Sequence, residues 1–147
     1  MTVNAIKEHK APMTPATTQI LFVDIQPEII GSSRTNPPDK LIPSAVAIAQ
    51  IGKLFELPMT VSVVPAGDAE SRLIPELAAL PSDAKPLVRT MAPVFDDKPT
   101  ASAIAATKRH DLVICGVVTE VAIWRTRRRD AREPSQGMWS APHSRPA

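Results

Sequence analysis

The segment DLVICGVVTEVAI, residues 111–123, decides how this chain folds. Its apolar run ends at Gly116, and Thr119 with Glu120 then begins a predicted helix. An apolar run bounded by a glycine and a helix-capping residue is typical of a buried parallel strand that leads into a helix. In open α/β sheets, ligands bind at the carboxyl ends of strands and at the adjoining helix N-termini. The segment therefore predicts one wall of a binding site.

The rest of the chain supplies further strands and the helices between them. Short runs of apolar and β-branched residues predict strands at 19–25, 59–64 and 87–89. Apolar residues at helical spacing predict a helix from the N-cap Asp39 to residue 55, and an alanine-rich helix follows at 100–108. A shorter helix, bent at Pro75, is predicted over 69–80. This alternation with short connections indicates an α/β fold with parallel strand pairing.

Composition limits the class of protein. The chain has 147 residues, of which 44% are hydrophobic and 22% charged, as expected for one globular domain. Its single cysteine excludes an internal disulfide and a cysteine-rich zinc site. No run approaches the ~20 apolar residues that a membrane span needs, and the N-terminus lacks the apolar core of a signal peptide. A cytoplasmic protein with no membrane partner is expected.

The two ends differ from the body. Residues 1–18 have no periodic pattern and are predicted to be a mobile leader. Residues 127–147 are basic, contain three prolines and predict an unstructured tail. Arginines at 127–129 could contact phosphate, but without interleaved aromatic residues a solvated tail is favoured and no nucleic-acid partner is expected.

A few residues are candidates for chemistry, each with a plainer alternative. Asp24 lies at the end of the first strand, where it could act as a general acid or base or simply cap a turn. Arg89 ends the third strand and could hold an anionic group or form a surface ion pair. Thr119 could begin an anion-binding helix terminus or serve only as a helix cap.

The remaining reactive residue types give no site. Cys115 lies in an apolar strand, where a cysteine is usually an inert small hydrophobe. The three histidines, at positions 9, 110 and 143, share no spacing, so no metal site and no catalytic pair are predicted from them.

Three motifs together resemble the isochorismatase-like hydrolase superfamily, which includes isochorismatases and nicotinamidases. They are VDIQ at 23–26, RTMAPVF at 89–95 and ICGVVTEVAI at 114–123. The resemblance implies a Rossmann-like three-layer α/β/α fold with a mostly parallel sheet of order 3-2-1-4-5-6. It covers residues 19–126 as one hydrolase domain. Since the sequence supplies four of those strands, the sheet is expected to be incomplete at its C-terminal end.

The resemblance also implies a site. It makes Asp24 catalytic, places Arg89 at the family's lysine position and Ala122 at the position of its nucleophilic cysteine. It further implies a cis peptide bond between Val117 and Val118, with backbone amides nearby that receive an oxyanion. Substrate contacts are expected from four residues, namely Gln26, Phe95, Val118 and Thr119.

These positions predict the type of reaction. Because the methyl group of Ala122 cannot attack a substrate, chemistry through a thioester is excluded, and Asp24 is expected to use water, as isochorismatases without the cysteine do. The segment VPAGDAE after the second strand has no histidine, so neither a metal nor another cofactor is predicted. A small-molecule substrate and a possible homo-oligomer are the expected partners. The alternatives are a catalytically inactive homologue that binds a small molecule or its own kind, and a non-functional truncated remnant.

Overall fold

A computed structural model describes residues 12–65, 72–80 and 85–117. Within these ranges the elements follow one another as strands separated by helices. In chain order they are β1 Thr18–Val23, α1 Pro27–Gly31, α2 Pro38–Leu54, β2 Met59–Val63, α3 Pro75–Ala78, β3 Leu87–Val88, a 3₁₀ turn Val94–Asp96, α4 Lys98–Ala106 and β4 Asp111–Gly116.

The described strands form a parallel sheet of order β3-β2-β1-β4. β1 is central: its residue Val23 is aligned with Ser62 of β2 on one side and with Gly116 of β4 on the other. All six side chains of β1 are buried, because the strand is covered on both faces. The order confirms the predicted α/β class with its mostly parallel sheet.

Helices cover the two faces of the sheet separately. Ile20 and Phe22 of β1 pack with the buried residues of α1, α2 and α3 in one apolar cluster. Leu21 and Val23 point to the other face and pack with Val94 and with Ile104 of α4. This alternation along β1 follows from the period of two in strand side chains. The result is a three-layer arrangement in which the carboxyl ends of the parallel strands lie at one edge of the sheet.

Several predicted boundaries are corrected. The first strand begins at Thr18, inside the predicted leader, and residues 14–17 before it form a hydrogen-bonded turn. The second helix has its N-cap at Pro37, with Asp39 in its first turn, because two consecutive prolines fix the extended backbone that enters the helix. In the predicted helix 69–80, residues 72–74 are not helical and the helix begins at Pro75. The five-residue α1 was not predicted.

Candidate functional site

Asp24 directly follows the last residue of β1, and the backbone turns sharply there. Its φ of 57° lies in the left-handed region, which aspartate tolerates better than most residues. The Asp24 amide still donates to the carbonyl of Ser62, at 3.0 Å, so the turn stays attached to β2. Non-glycine residues in this conformation gather at functional sites. The side chain is consequently directed into the protein, where Asp24 is only 4% exposed.

Arg89 meets Asp24 in a bidentate ion pair. It follows β3 directly, and its amide donates to the carbonyl of Val63 at 2.9 Å. Nη1 donates to Asp24 Oδ1 at 2.7 Å and Nη2 donates to Oδ2 at 2.6 Å. Since Arg89 is 1% exposed, this is a buried pair and not the surface pair considered from the sequence. The parallel sheet thus brings together two residues that are 65 positions apart.

The other donors of Arg89 are also engaged. Nε donates to the carbonyl of Met91 at 3.0 Å, and Nη1 donates additionally to Ser62 Oγ at 3.2 Å. Four of the five guanidinium N–H groups therefore have acceptors in the described chain, and one on Nη2 is left. The positive charge lies against the carboxylate of Asp24, so little of it is available for a separate anion.

A chain of buried polar groups continues from Arg89 to α4. Ser62 Oγ lies 3.5 Å from Thr100 Oγ1, which donates to Asp97 Oδ2 at 2.6 Å. Asp97 is the N-cap of α4, since the same oxygen accepts from the Thr100 amide at 3.1 Å. Ser62 and Thr100 were not among the site residues predicted from the sequence. The alternation of Thr60 and Ser62 with valines in β2 was the available signal.

Gln26 uses its side chain on the protein itself. It is fully buried, its Nε2 donates to the carbonyl of Val64 at 2.9 Å, and its Oε1 accepts from the Val64 amide at 2.9 Å. The amide group of Gln26 thereby extends the pairing of β1 and β2 beyond their last residues. Its expected contact with substrate stays a prediction.

Two of the remaining predicted residues, Phe95 and Val117, lie within the described ranges. Phe95, in the 3₁₀ turn, is half-buried against the cluster that α4 covers. The pairing of Gly116 with Val23 places the end of β4 directly beside Asp24. Val117 is partly buried against the opposite cluster. Val118, Thr119, Ala122 and the Val117–Val118 peptide bond lie outside the described residues.

The Cys115 thiol and the possible metal ligands of the described chain bear on whether it has another kind of reactive site. Burial raises the pKa of the Cys115 thiol to about 11, so the thiolate, which is the nucleophilic form, is scarce at neutral pH. Over residues 12–65, 72–80 and 85–117, no group of three or more histidine, cysteine, aspartate and glutamate side chains could hold a metal ion. Within the same ranges, no helix is both long and apolar enough to cross a membrane.

Similar proteins are known by sequence and by structure, although no protein-family model matches the chain. The chain is 30% identical over 105 residues to the probable hydrolase YcaC of Escherichia coli K12, an alignment that covers 71% of this chain and 50% of that protein. It therefore spans about half the length of the curated relative it matches.

Solved structures show the same fold. The crystal structure of the YcaC gene product from Escherichia coli, described as an octameric hydrolase of unknown specificity, matches with a TM-score of 0.77 and 26% identity over 87% of this chain and 65% of that chain. An isochorismatase from Pseudomonas putida KT2440 matches with a TM-score of 0.70 at 14% identity, over 87% and 70% of the two chains. A cysteine hydrolase from Pseudomonas syringae pv. phaseolicola 1448A gives 0.68 at 15% identity, over 87% and 72%. The protein has the fold of the isochorismatase-family hydrolases, which confirms the expected resemblance at the level of fold.

Proposed function

We propose that this protein is an isochorismatase-type hydrolase acting on a small molecule, with Asp24 as the group that transfers the proton. The observation that carries the proposal is the buried, bidentate pair of Asp24 and Arg89 at the carboxyl edge of the parallel sheet. Ligand sites of open α/β sheets lie at that edge. The end of β4, aligned with the end of β1, supplies the neighbouring wall.

The pairing with Arg89 leaves the Asp24 carboxylate able to take part in proton transfer. A carboxylate has about four lone-pair positions, and the two bonds from Arg89 occupy one on each oxygen. A proton can therefore be taken up at a remaining position while the two hydrogen bonds from Arg89 stay in place. Arg89 fixes the orientation of the carboxylate, and a water molecule serves as the nucleophile because Ala122 stands at the family's cysteine position. Backbone amides around residues 118–122 would stabilise the developing negative charge.

The test is turnover by purified protein of a small panel that includes a vinyl ether and a primary amide. We expect Asp24→Asn to lower kcat by ~100-fold or more, the usual contribution of a positioned acid or base. Asp39→Asn, at an exposed position in the first turn of α2, is the matched control and should keep full activity. Circular dichroism checks that each variant is folded. Unchanged turnover in folded Asp24→Asn would exclude the mechanism.

A second candidate is a catalytically silent homologue that binds a small molecule. The near-complete engagement of the Arg89 donors supports it, because the pair then resembles a fixed structural element. Ala122 at the nucleophile position also supports it. A ligand that raises Tm without being converted would favour this candidate, whereas measurable hydrolysis would exclude it.

We also propose that the domain comprises residues 19–126, is cytoplasmic and assembles with copies of itself. Assembly is supported by the octameric state described for the Escherichia coli YcaC structure. It is further supported by the exposed apolar side chains of Ile51, Leu54 and Phe55 at the end of α2. Light scattering on purified protein tests it, since a monomeric mass at micromolar concentration would contradict it.

A further inference from the structure

Ser62, Thr100 and Asp97 form a buried hydrogen-bond chain whose direction is fixed by their donors. A hydroxyl has only one proton to donate. Thr100 gives its proton to Asp97 Oδ2 at 2.6 Å, so in its contact with Ser62 the donor must be Ser62. The oxygen of Ser62 then accepts from Nη1 of Arg89. Every donor therefore points away from the guanidinium and toward a second carboxylate.

We infer that Ser62 and Thr100 are positioning residues that hold the guanidinium of Arg89 in the plane of the Asp24 carboxylate. Two parallel bonds to one carboxylate need the guanidinium to be aligned with it. The Met91 carbonyl accepts from Nε and Ser62 accepts from Nη1, so two different nitrogens of the planar group are held in addition to the contacts with Asp24. Asp97, at the start of α4, accepts the Thr100 hydroxyl proton and thereby fixes the direction in which that hydroxyl points.

Because this hydrogen-bond chain is buried, the loss of one of its hydroxyl groups costs free energy that water cannot restore. Ser62 and Thr100 are both 0% exposed, so water cannot replace a lost partner. Removal of one hydroxyl leaves the next group in the chain without its hydrogen bond. The guanidinium should then rotate more freely while its ion pair with Asp24 persists. The inference depends on the proposed function only for the identity of the reacting pair.

The experiment measures rotation of the Arg89 guanidinium by ¹⁵N NMR exchange in the full chain, with its signals assigned from Arg89→Lys. We expect Ser62→Ala, which removes the acceptor of Nη1, to speed rotation about the Cζ–Nη1 bond by roughly fivefold, which corresponds to the ~1 kcal/mol typical of one hydrogen bond. Thr100→Val keeps that acceptor but frees the Ser62 hydroxyl to turn, so it should speed rotation by a smaller factor. Thr100→Ser keeps the hydroxyl and should behave as the unmodified protein does.

Thr60→Val is the matched control. Thr60 lies two residues before Ser62 on the same face of β2 and is also buried, but it takes no part in the hydrogen-bond chain of Ser62, Thr100 and Asp97. Its substitution should leave guanidinium rotation unchanged. If Thr100→Val does not fold, the comparison of Ser62→Ala with Thr60→Val decides.

The outcomes separate this inference from the proposed function. Unchanged guanidinium rotation in folded Ser62→Ala and Thr100→Val, or equal acceleration in Thr60→Val, would overturn the positioning role, whether or not the protein is active. Accelerated rotation in Ser62→Ala and Thr100→Val, but not in Thr60→Val, supports the positioning role. Since the NMR measurement needs no substrate, that support holds even if no member of the panel is hydrolysed, a result that would count against the proposed function alone.

Discussion

The ion pair of Asp24 and Arg89 predicts a large and strongly non-additive effect on stability. Its two hydrogen bonds of 2.7 and 2.6 Å are closed to solvent, with side chains 6% and 1% exposed. Removing one partner of a buried pair leaves an uncompensated charge and costs about 3–5 kcal/mol. A pair at the surface would contribute only about 0–1 kcal/mol. The loss in the free energy of unfolding therefore distinguishes a buried pair from a surface pair.

A double-mutant cycle measures the effect. Asp24→Asn keeps a residue that tolerates the left-handed φ of 57°, and Arg89→Met keeps an unbranched side chain of similar reach. Each single variant should lose about 3–5 kcal/mol of the free energy of unfolding, out of the ~5–15 kcal/mol typical of a domain. The double variant contains neither charge, so it should lose at least about 2 kcal/mol less than the sum of the singles.

The assay is urea denaturation followed by circular dichroism at constant pH and salt. Arg34→Met is the control: it removes an exposed arginine and should change the free energy of unfolding by less than about 0.5 kcal/mol. Equal m-values across the set would show that the unfolded states are comparable. Losses below about 1 kcal/mol in both single variants, adding up in the double variant, would refute the account of a buried pair.

Three further predictions concern other contacts. Asp97→Ala should lower the free energy of unfolding by about 1–2 kcal/mol in urea, because the N-cap acceptor for Thr100 is lost; a change below about 0.3 kcal/mol would contradict the cap. Gln26→Leu should cost about 1–3 kcal/mol and speed hydrogen exchange at the Val64 amide, which NMR can follow; unchanged exchange there would count against the bridge. Because burial raises the pKa of Cys115 from 9.0 to about 11, stability should fall as pH rises from about 9 to about 11, and Cys115→Ala should lessen that fall in urea titrations at each pH; an identical fall would contradict it.

The sequence predicted the fold well where burial dictates residue type. The apolar run at 19–25 identified the central strand β1, because a strand covered on both faces needs mostly apolar side chains, and the run at 111–116 identified its neighbour β4. Parallel pairing of the predicted strands then implies that Asp24 and Arg89, each at the carboxyl end of a strand, lie at one edge of the sheet. The structure also corrects the predicted start of α2, where prolines rather than an acidic cap decide the boundary.

What the sequence could not predict depends on side-chain geometry. The left-handed turn at Asp24 and the bidentate contact with Arg89 arise from how two strand ends meet, and no local pattern encodes them. Gln26 was expected to face a substrate, yet its amide pairs with Val64, a use that its sequence position does not reveal. The role of Ser62 could not be predicted for the same reason. Serine is common in strands, and its partner Thr100 lies on α4, far away in sequence.

The central claim is that Asp24, Arg89 and the end of β4 share one small-molecule site. The most direct test is a crystal structure of the protein with the panel member that gives the largest rise in Tm. We predict that the ligand lies within hydrogen-bond distance of Asp24 and contacts the chain at Gly116 or Val117, with the ion pair to Arg89 retained. A ligand bound on another face of the sheet, with the Asp24 carboxylate still covered, would contradict the account.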